Sequence, residues 1–273
     1  MTRQPRALRR FGVRADLTDR DRSLLAALNR FRLASTSDLV SFAFCGTRRD
    51  GALRRLRRLF DAGYLDVRAG DRAKENVYAL GLRGRALFPE SPARLPRGDI
   101  EHHLAIVHAW VSLAVAIQRT PGLRLDLVRP EWSIRQHVGA VPTVLVPDAL
   151  VQLRVGTEHD SVRLLRFALE VDRATEPLTV LARKFARYGA TGAAPDGLFG
   201  WREFGIVVAL HCAGRLRRTH VEKLIEKRWT GWSFVWTEAS ELEMLLASLV
   251  AAPPLTSSPH ARGGERAPSD VLP

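Results

Sequence analysis

The chain has 273 residues and a globular balance of apolar and charged side chains, enough for a buried core and most naturally two domains. Its two cysteines, Cys45 and Cys212, are too far apart in sequence to make a redox motif or a zinc-ligand pair, which points to a reducing compartment. No secretory leader is visible and no run reaches ~18 apolar residues, so no membrane span is expected. The net charge of +13 is uneven. Residues 1–99 hold 22 Arg or Lys against 11 Asp or Glu, while the rest is nearly balanced. That asymmetry points to a nucleic-acid-binding module at the N-terminal end. Only four of the 42 basic residues are lysine, and arginine is the better bidentate reader of phosphate and guanine.

Residues 1–14 read as a flexible basic arm. Thr18 caps a first helix with Asp19 and Asp21 in its first turn, and Leu24, Leu25, Leu28 and Phe31 recur at helical spacing. The polar run at 34–38 caps a second, short helix carrying Leu39, Val40, Phe42 and Ala43. A third helix starts at Thr47, with Leu53, Leu56, Leu59 and Phe60 as its apolar stripe and Gly63 as its stop. Arg48, Arg49, Arg54, Arg55, Arg57 and Arg58 cover the rest of that helix. Strands at 64–67 and 77–80 flank a polar turn. A short helix at 82–88 leads into the Pro- and Gly-rich stretch 89–98, a domain boundary.

Three helices and a hairpin, with the phrase LRRLFDAGYL at 56–65, resemble a winged helix-turn-helix. The resemblance implies that the third helix enters the major groove of double-stranded DNA, with Arg48 and Arg49, then Asp50, Arg54 and Arg55, as candidates near base edges. It places Arg68, Arg72 and Lys74, on the wing, near phosphate.

Asp99 and Glu101 open a long helix to about Gln118, with Leu104, Val107, Trp110, Val111 and Ala114 facing a core. His102, His103 and His108 lack the HExxH pattern and read as ordinary helix histidines; Glu101 is a minor candidate for an acid site. A strand at 123–128 precedes Pro130-Glu131-Trp132. Two β-branched runs within 143–173 then flank a turn at 156–161, a hairpin signal. Its midpoint sets Asp148 opposite Glu170, and period-2 alternation puts Asp172 on the same face. Leu165, Phe167 and Leu169 take the other face. Three carboxylates on one face call for a divalent cation such as Mg²⁺; otherwise they are solvent-facing acids at a strand end. Thr175 is expected to cap a helix with Pro177 in its first turn, which presents Leu178, Leu181, Phe185 and Tyr188 on its apolar side. A Gly/Ala/Pro loop covers 190–200. Strand 204–210, helix 216–228, strand 232–236 and helix 240–250 follow, and the tail 252–273 is disordered by composition. Trp229, Trp232 and Trp236 are expected to close the core.

Pro147-Asp148, a hairpin and Glu170-Val171-Asp172 resemble the PD-(D/E)xK nuclease pattern, with Asp172 where that family has lysine. The resemblance implies Mg²⁺ held by Asp148, Glu170 and the Val171 carbonyl, with Asp172 as a further ligand. Lys184 is the candidate replacement lysine; its other reading is a surface lysine. The fold expected is α/β (α+β): a winged helix-turn-helix at 15–88, then a restriction-endonuclease-like mixed sheet at 99–251.

With FALEVDRATE at 167–176 and KFARY at 184–188 added, the chain resembles the replication-relaxation family over roughly residues 15–240. That implies a cytoplasmic bacterial protein of plasmids or other mobile elements, with DNA as partner. Two functions stay open: a metal-dependent nuclease or nickase, and a non-catalytic replication or transcription regulator whose second domain makes protein contacts or a homodimer.

Overall fold

The structure is a computed structural model that describes residues 12–68, 75–89, 99–138, 145–156, 162–211 and 214–251. The expected basic arm (apart from residues 12–14), Arg72, Lys74, the hairpin turn at 157–161, nearly all of the 89–98 boundary and the tail lie outside these residues. The fold is α/β, with two sheets among the described residues.

Helix α1 (Asp19–Phe31) starts in a capping box. The Thr18 hydroxyl accepts from the Asp21 N–H at 3.3 Å, and the Asp21 carboxylate accepts from the Thr18 N–H at 2.8 Å. Ser35 and Asp38 repeat the device at α2 (Thr36–Ala43), after the two-residue strand β1 (Ala34–Ser35). Helix α3 (Arg49–Asp61) ends in a Schellman turn. The Tyr64 N–H bonds to the Leu59 carbonyl and the Gly63 N–H to that of Phe60, both at 2.9 Å. Gly63 takes φ +81° there, which is why glycine stops this helix. Ala52, Leu56, Leu59 and Phe60 are buried, whereas Leu53, expected in the stripe, is exposed. Strands β2 (Leu65–Arg68) and β3 (Val77–Leu80) pair antiparallel, with β1 added on the far side of β3. Helix α4 (Leu82–Arg85) is shorter than the expected 82–88.

Helix α5 (Ile100–Arg119) corrects the expectation of no membrane-length segment: it is long and apolar enough to cross a bilayer by length and composition. Here it is the central core helix, packed against β1, α2, β4 (Leu123–Pro130), β6 (Arg163–Asp172) and α9 (Ala239–Ala251). Helix α6 (Glu131–Val138) follows β4 where the sequence reading assigned no element. The remaining elements are β5 (Ala149–Val155), α7 (Leu178–Ala193), β7 (Gly205–Leu210), α8 (Arg215–Arg228) and β8 (Ser233–Trp236). Helix α7 runs through Ala193, shortening the loop expected from 190.

The larger sheet has the order β4-β5-β6-β7-β8. The first three strands are antiparallel and the last three parallel, a mixed sheet. Phe167, Leu169 and Val171 face the cluster under α5 and α9; Ala168 and Ile206 face the cluster under α7 and α8. Trp229 and Trp236 are buried in these cores, and the ring of Trp232 meets that of Phe167 edge-on at 5.8 Å.

Candidate functional site: a buried acid cluster and an arginine-bearing helix

The β5–β6 register pairs Ala149 with Leu169, so Asp148 and Glu170 fall opposite each other one step further along. Both are buried, Asp148 at 5 % and Glu170 at 3 % exposure, because α7 covers this face. A solvent-facing pair of acids is therefore not what the fold makes. One Asp148 oxygen accepts the Val171 backbone N–H at 2.7 Å, and the other lies 3.3 Å from His102 Nε2. Glu170 accepts from the Lys184 ammonium with one oxygen and from the Tyr188 hydroxyl with the other. Lys184 and Tyr188 stand at i and i+4, so one face of α7 delivers both donors. Lys184 thus points at the acids.

The electrostatics separate the two carboxyls. Burial raises Glu170 by more than the Lys184 charge and the hydrogen bonds from Lys184 and Tyr188 lower it, and the Asp148 charge adds a smaller push upward; its pKa is pushed up to about 7. Asp148 is held below its ordinary value: burial opposes this, but Lys184, His102 and the Val171 N–H outweigh it. Burial disfavours the Lys184 ammonium, yet Glu170 and Asp148 raise its pKa overall. Tyr188 keeps its proton because burial and the nearby carboxylates penalise phenolate. The hydrogen bond to Asp148 raises His102. One acid is therefore a lasting anion, and its neighbour exchanges a proton near neutrality.

Asp172 shares the sheet face but not the cluster. The Arg217 guanidinium grips it in a fork, with Nε at 2.7 Å and Nη2 at 3.0 Å, and the Ala174 N–H adds a third bond at 2.9 Å. Glu101 pairs instead with Arg173 at 2.6 Å. Among the histidines, His103 bonds the Phe31 carbonyl and His108 bonds Asp38 at 3.0 Å, as helix histidines do. His102 alone joins the acids. With Glu131 and Asp148 it forms the one group of three or more His, Cys, Asp or Glu among the described residues whose ligand atoms all lie within 4.8 Å of one another. Sequence reasoning passed over Glu131 because α6 was not foreseen, and over His102 because no spacing motif marks a ligand set drawn from three elements. A separate cleft of about 610 Å³ lies across α5, walled by Asp38, His108, His211 and Cys45.

The arginines of α3 divide. Arg48, Arg49 and Arg54 are exposed and make no side-chain hydrogen bond or ion pair among the described residues. Arg55 is tied to the buried Asp21, with Nε at 3.0 Å from the carboxylate, and to the Asp16 carbonyl. Arg57 pairs with Asp61 at 3.0 Å, and Arg58 reaches the Arg14 carbonyl at 3.3 Å. Arg68 closes β2.

The sequence profile of the replication-relaxation family matches residues 25–199, more than half of the chain. The chain belongs to the replication-relaxation family. The match runs from within α1 to just beyond α7, so it includes His102, Glu131, Asp148, Glu170, Lys184 and Tyr188 and stops short of Arg217. No curated protein and no solved structure matches this chain. Membership gives it a replication-related role.

Proposed function

We propose that this replication-relaxation protein binds double-stranded DNA through residues 15–88, acting as a winged helix, and cuts or nicks it at the acid cluster of residues 99–251. The reading implies a cytoplasmic protein that works on plasmid or mobile-element DNA. The observation that carries it is the Lys184–Glu170 pair. The lysine missing from the strand position comes from α7, so an ionised aspartate, a second acid and a lysine sit together behind a basic module. Lys184 holds two further N–H donors that suit a phosphate oxygen or an attacking water.

Mg²⁺ shared by Asp148 and Glu170 fits this arrangement poorly. Asp148 keeps an oxygen for an ion, but both Glu170 oxygens are engaged by Lys184 and Tyr188. The second reading, a non-catalytic regulator, draws on Asp172, whose fork to Arg217 gives the motif's third position a structural task.

Supercoiled plasmid incubated with the protein and Mg²⁺, Mn²⁺ or EDTA decides between them. Cation-dependent nicking is expected, reduced about 10²-fold or more in Asp148→Asn and Lys184→Met. Binding of plasmid at equal strength by all three proteins, with no strand break, would leave a DNA-binding factor.

A further inference from the structure

We infer that His102, Glu131 and Asp148 build a site for a divalent first-row transition-metal ion, distinct from a magnesium site on Asp148 and Glu170. Its use in strand cleavage rests on the proposed function; its occupancy does not.

Three elements converge to make it. His102 comes from the first turn of α5, Glu131 opens α6, and Asp148 immediately precedes β5. The Glu131 N–H bonds the Asp148 carbonyl at 2.9 Å, which fixes the start of α6 against the aspartate. Each carboxylate has one oxygen held by another donor and one left over. In Asp148 the Val171 N–H takes Oδ2, leaving Oδ1 toward His102. In Glu131 the Arg135 Nε takes Oε1 at 2.7 Å, leaving Oε2. That is how outer-shell donors aim carboxylates at an ion.

The spacing agrees. The His102–Asp148 contact of 3.3 Å is long for a charge-assisted hydrogen bond, which runs about 2.7–2.9 Å. It suits two neighbouring ligands on one ion with bonds of about 2.1 Å. The 4.8 Å limit on the whole group requires only a small inward movement, which the half-buried His102 and Glu131 side chains can make. The donor set names the ion class. An imidazole nitrogen beside two carboxylates favours a zinc- or manganese-type ion over Mg²⁺, which prefers oxygen and retains its water.

The test is Mn²⁺ binding to the full-length protein, followed by calorimetry and by electron paramagnetic resonance resolving nitrogen coupling. One Mn²⁺ per chain with imidazole coupling is expected, with Mg²⁺ a weak competitor. His102→Ala should abolish the coupling and, like Glu131→Gln, weaken binding about ten-fold or more, while Glu170→Gln keeps the coupling. Circular dichroism confirms folding, and His102→Gln serves as a second variant if the alanine form melts early. Absence of Mn²⁺ binding, Mn²⁺ bound without nitrogen coupling, or equal affinity in a folded His102 variant would each overturn the site. Binding without plasmid nicking removes the cleavage reading and keeps the site. Nicking that ignores His102 keeps the cleavage reading and removes only this site's part in it.

Discussion

Asp148 and Glu170 are neighbours of the same chemistry driven apart by their partners. Glu170 holds its proton to about pH 7 when folded and releases it near 4.5 when unfolded. Between those values the native state binds the extra proton. Its contribution to stability is therefore full below about pH 4.5 and is lost as pH rises towards 7. His102, with its raised pKa, acts in the same direction from about 6.5 upward. In thermal melts across this range Glu170→Gln should flatten the descent; an unchanged slope would mean Glu170 is ionised throughout. The α3 arginines give a second contrast. Replacing Arg48, Arg49 or Arg54 by alanine should weaken DNA binding and reduce its salt dependence without changing the melting temperature. Arg55→Ala should instead destabilise by about 2 kcal/mol, because Asp21 stays buried with its cationic partner gone. Titrations at two salt concentrations beside melts of each variant separate the two groups.

At the scale of elements, local rules explain starts and stops, and close packing explains what surrounds them. The capping boxes at Thr18 and Ser35 and the glycine stop at Gly63 are read from three or four adjacent residues. Strand β7 shows the other kind of constraint. A Cβ on Gly205 would lie 2.1 Å from a ring atom of Trp232, far inside contact distance. Gly205→Ala should therefore cost about 1–3 kcal/mol by overpacking, seen as a lower denaturation midpoint with an unchanged slope. A wild-type midpoint would show that the Trp232 ring can move aside. Helix α7 joins both levels: Phe185 faces the core while Lys184 and Tyr188 reach Glu170.

Over the whole molecule, the N-terminal helices and the larger sheet share one continuous buried cluster that contains Leu28, Leu56, Trp110 and Leu169. The seam has polar ties as well. The Trp132 indole N–H donates to the Arg30 carbonyl at 2.7 Å, the Arg32 guanidinium stacks on the Trp132 ring at 4.0 Å, and His103 bonds the Phe31 carbonyl. Their sequence neighbours Glu131 and His102 belong to the cation group, so the residues that dock the N-terminal module adjoin those that build the site. One cooperative unfolding transition is expected for residues 12–251, and Trp132→Ala should lower it by about 1–3 kcal/mol. Two separated transitions in calorimetry would contradict that unity.

What the sequence determined by itself was whatever depends on near neighbours. The starts of α1, α2 and α5, the Asp148–Glu170 register and the shared face of Phe167 and Leu169 follow from capping chemistry and a two-residue period acting over a few positions. Family membership was legible too, in LEVDRAT and KFARY. Tertiary structure decided the rest. Lys184 could be a surface residue or a site residue until α7 packed on the sheet and buried the acids beside it. Asp172, one step along the same face, went to Arg217 because α8 lies there. His102 joined Asp148 while its neighbour His103 turned to Phe31, because adjacent helical residues point about 100° apart and the fold supplied a different partner in each direction. Those outcomes depend on which distant elements meet, and a contact between residues 102, 131 and 148 has no local period to announce it.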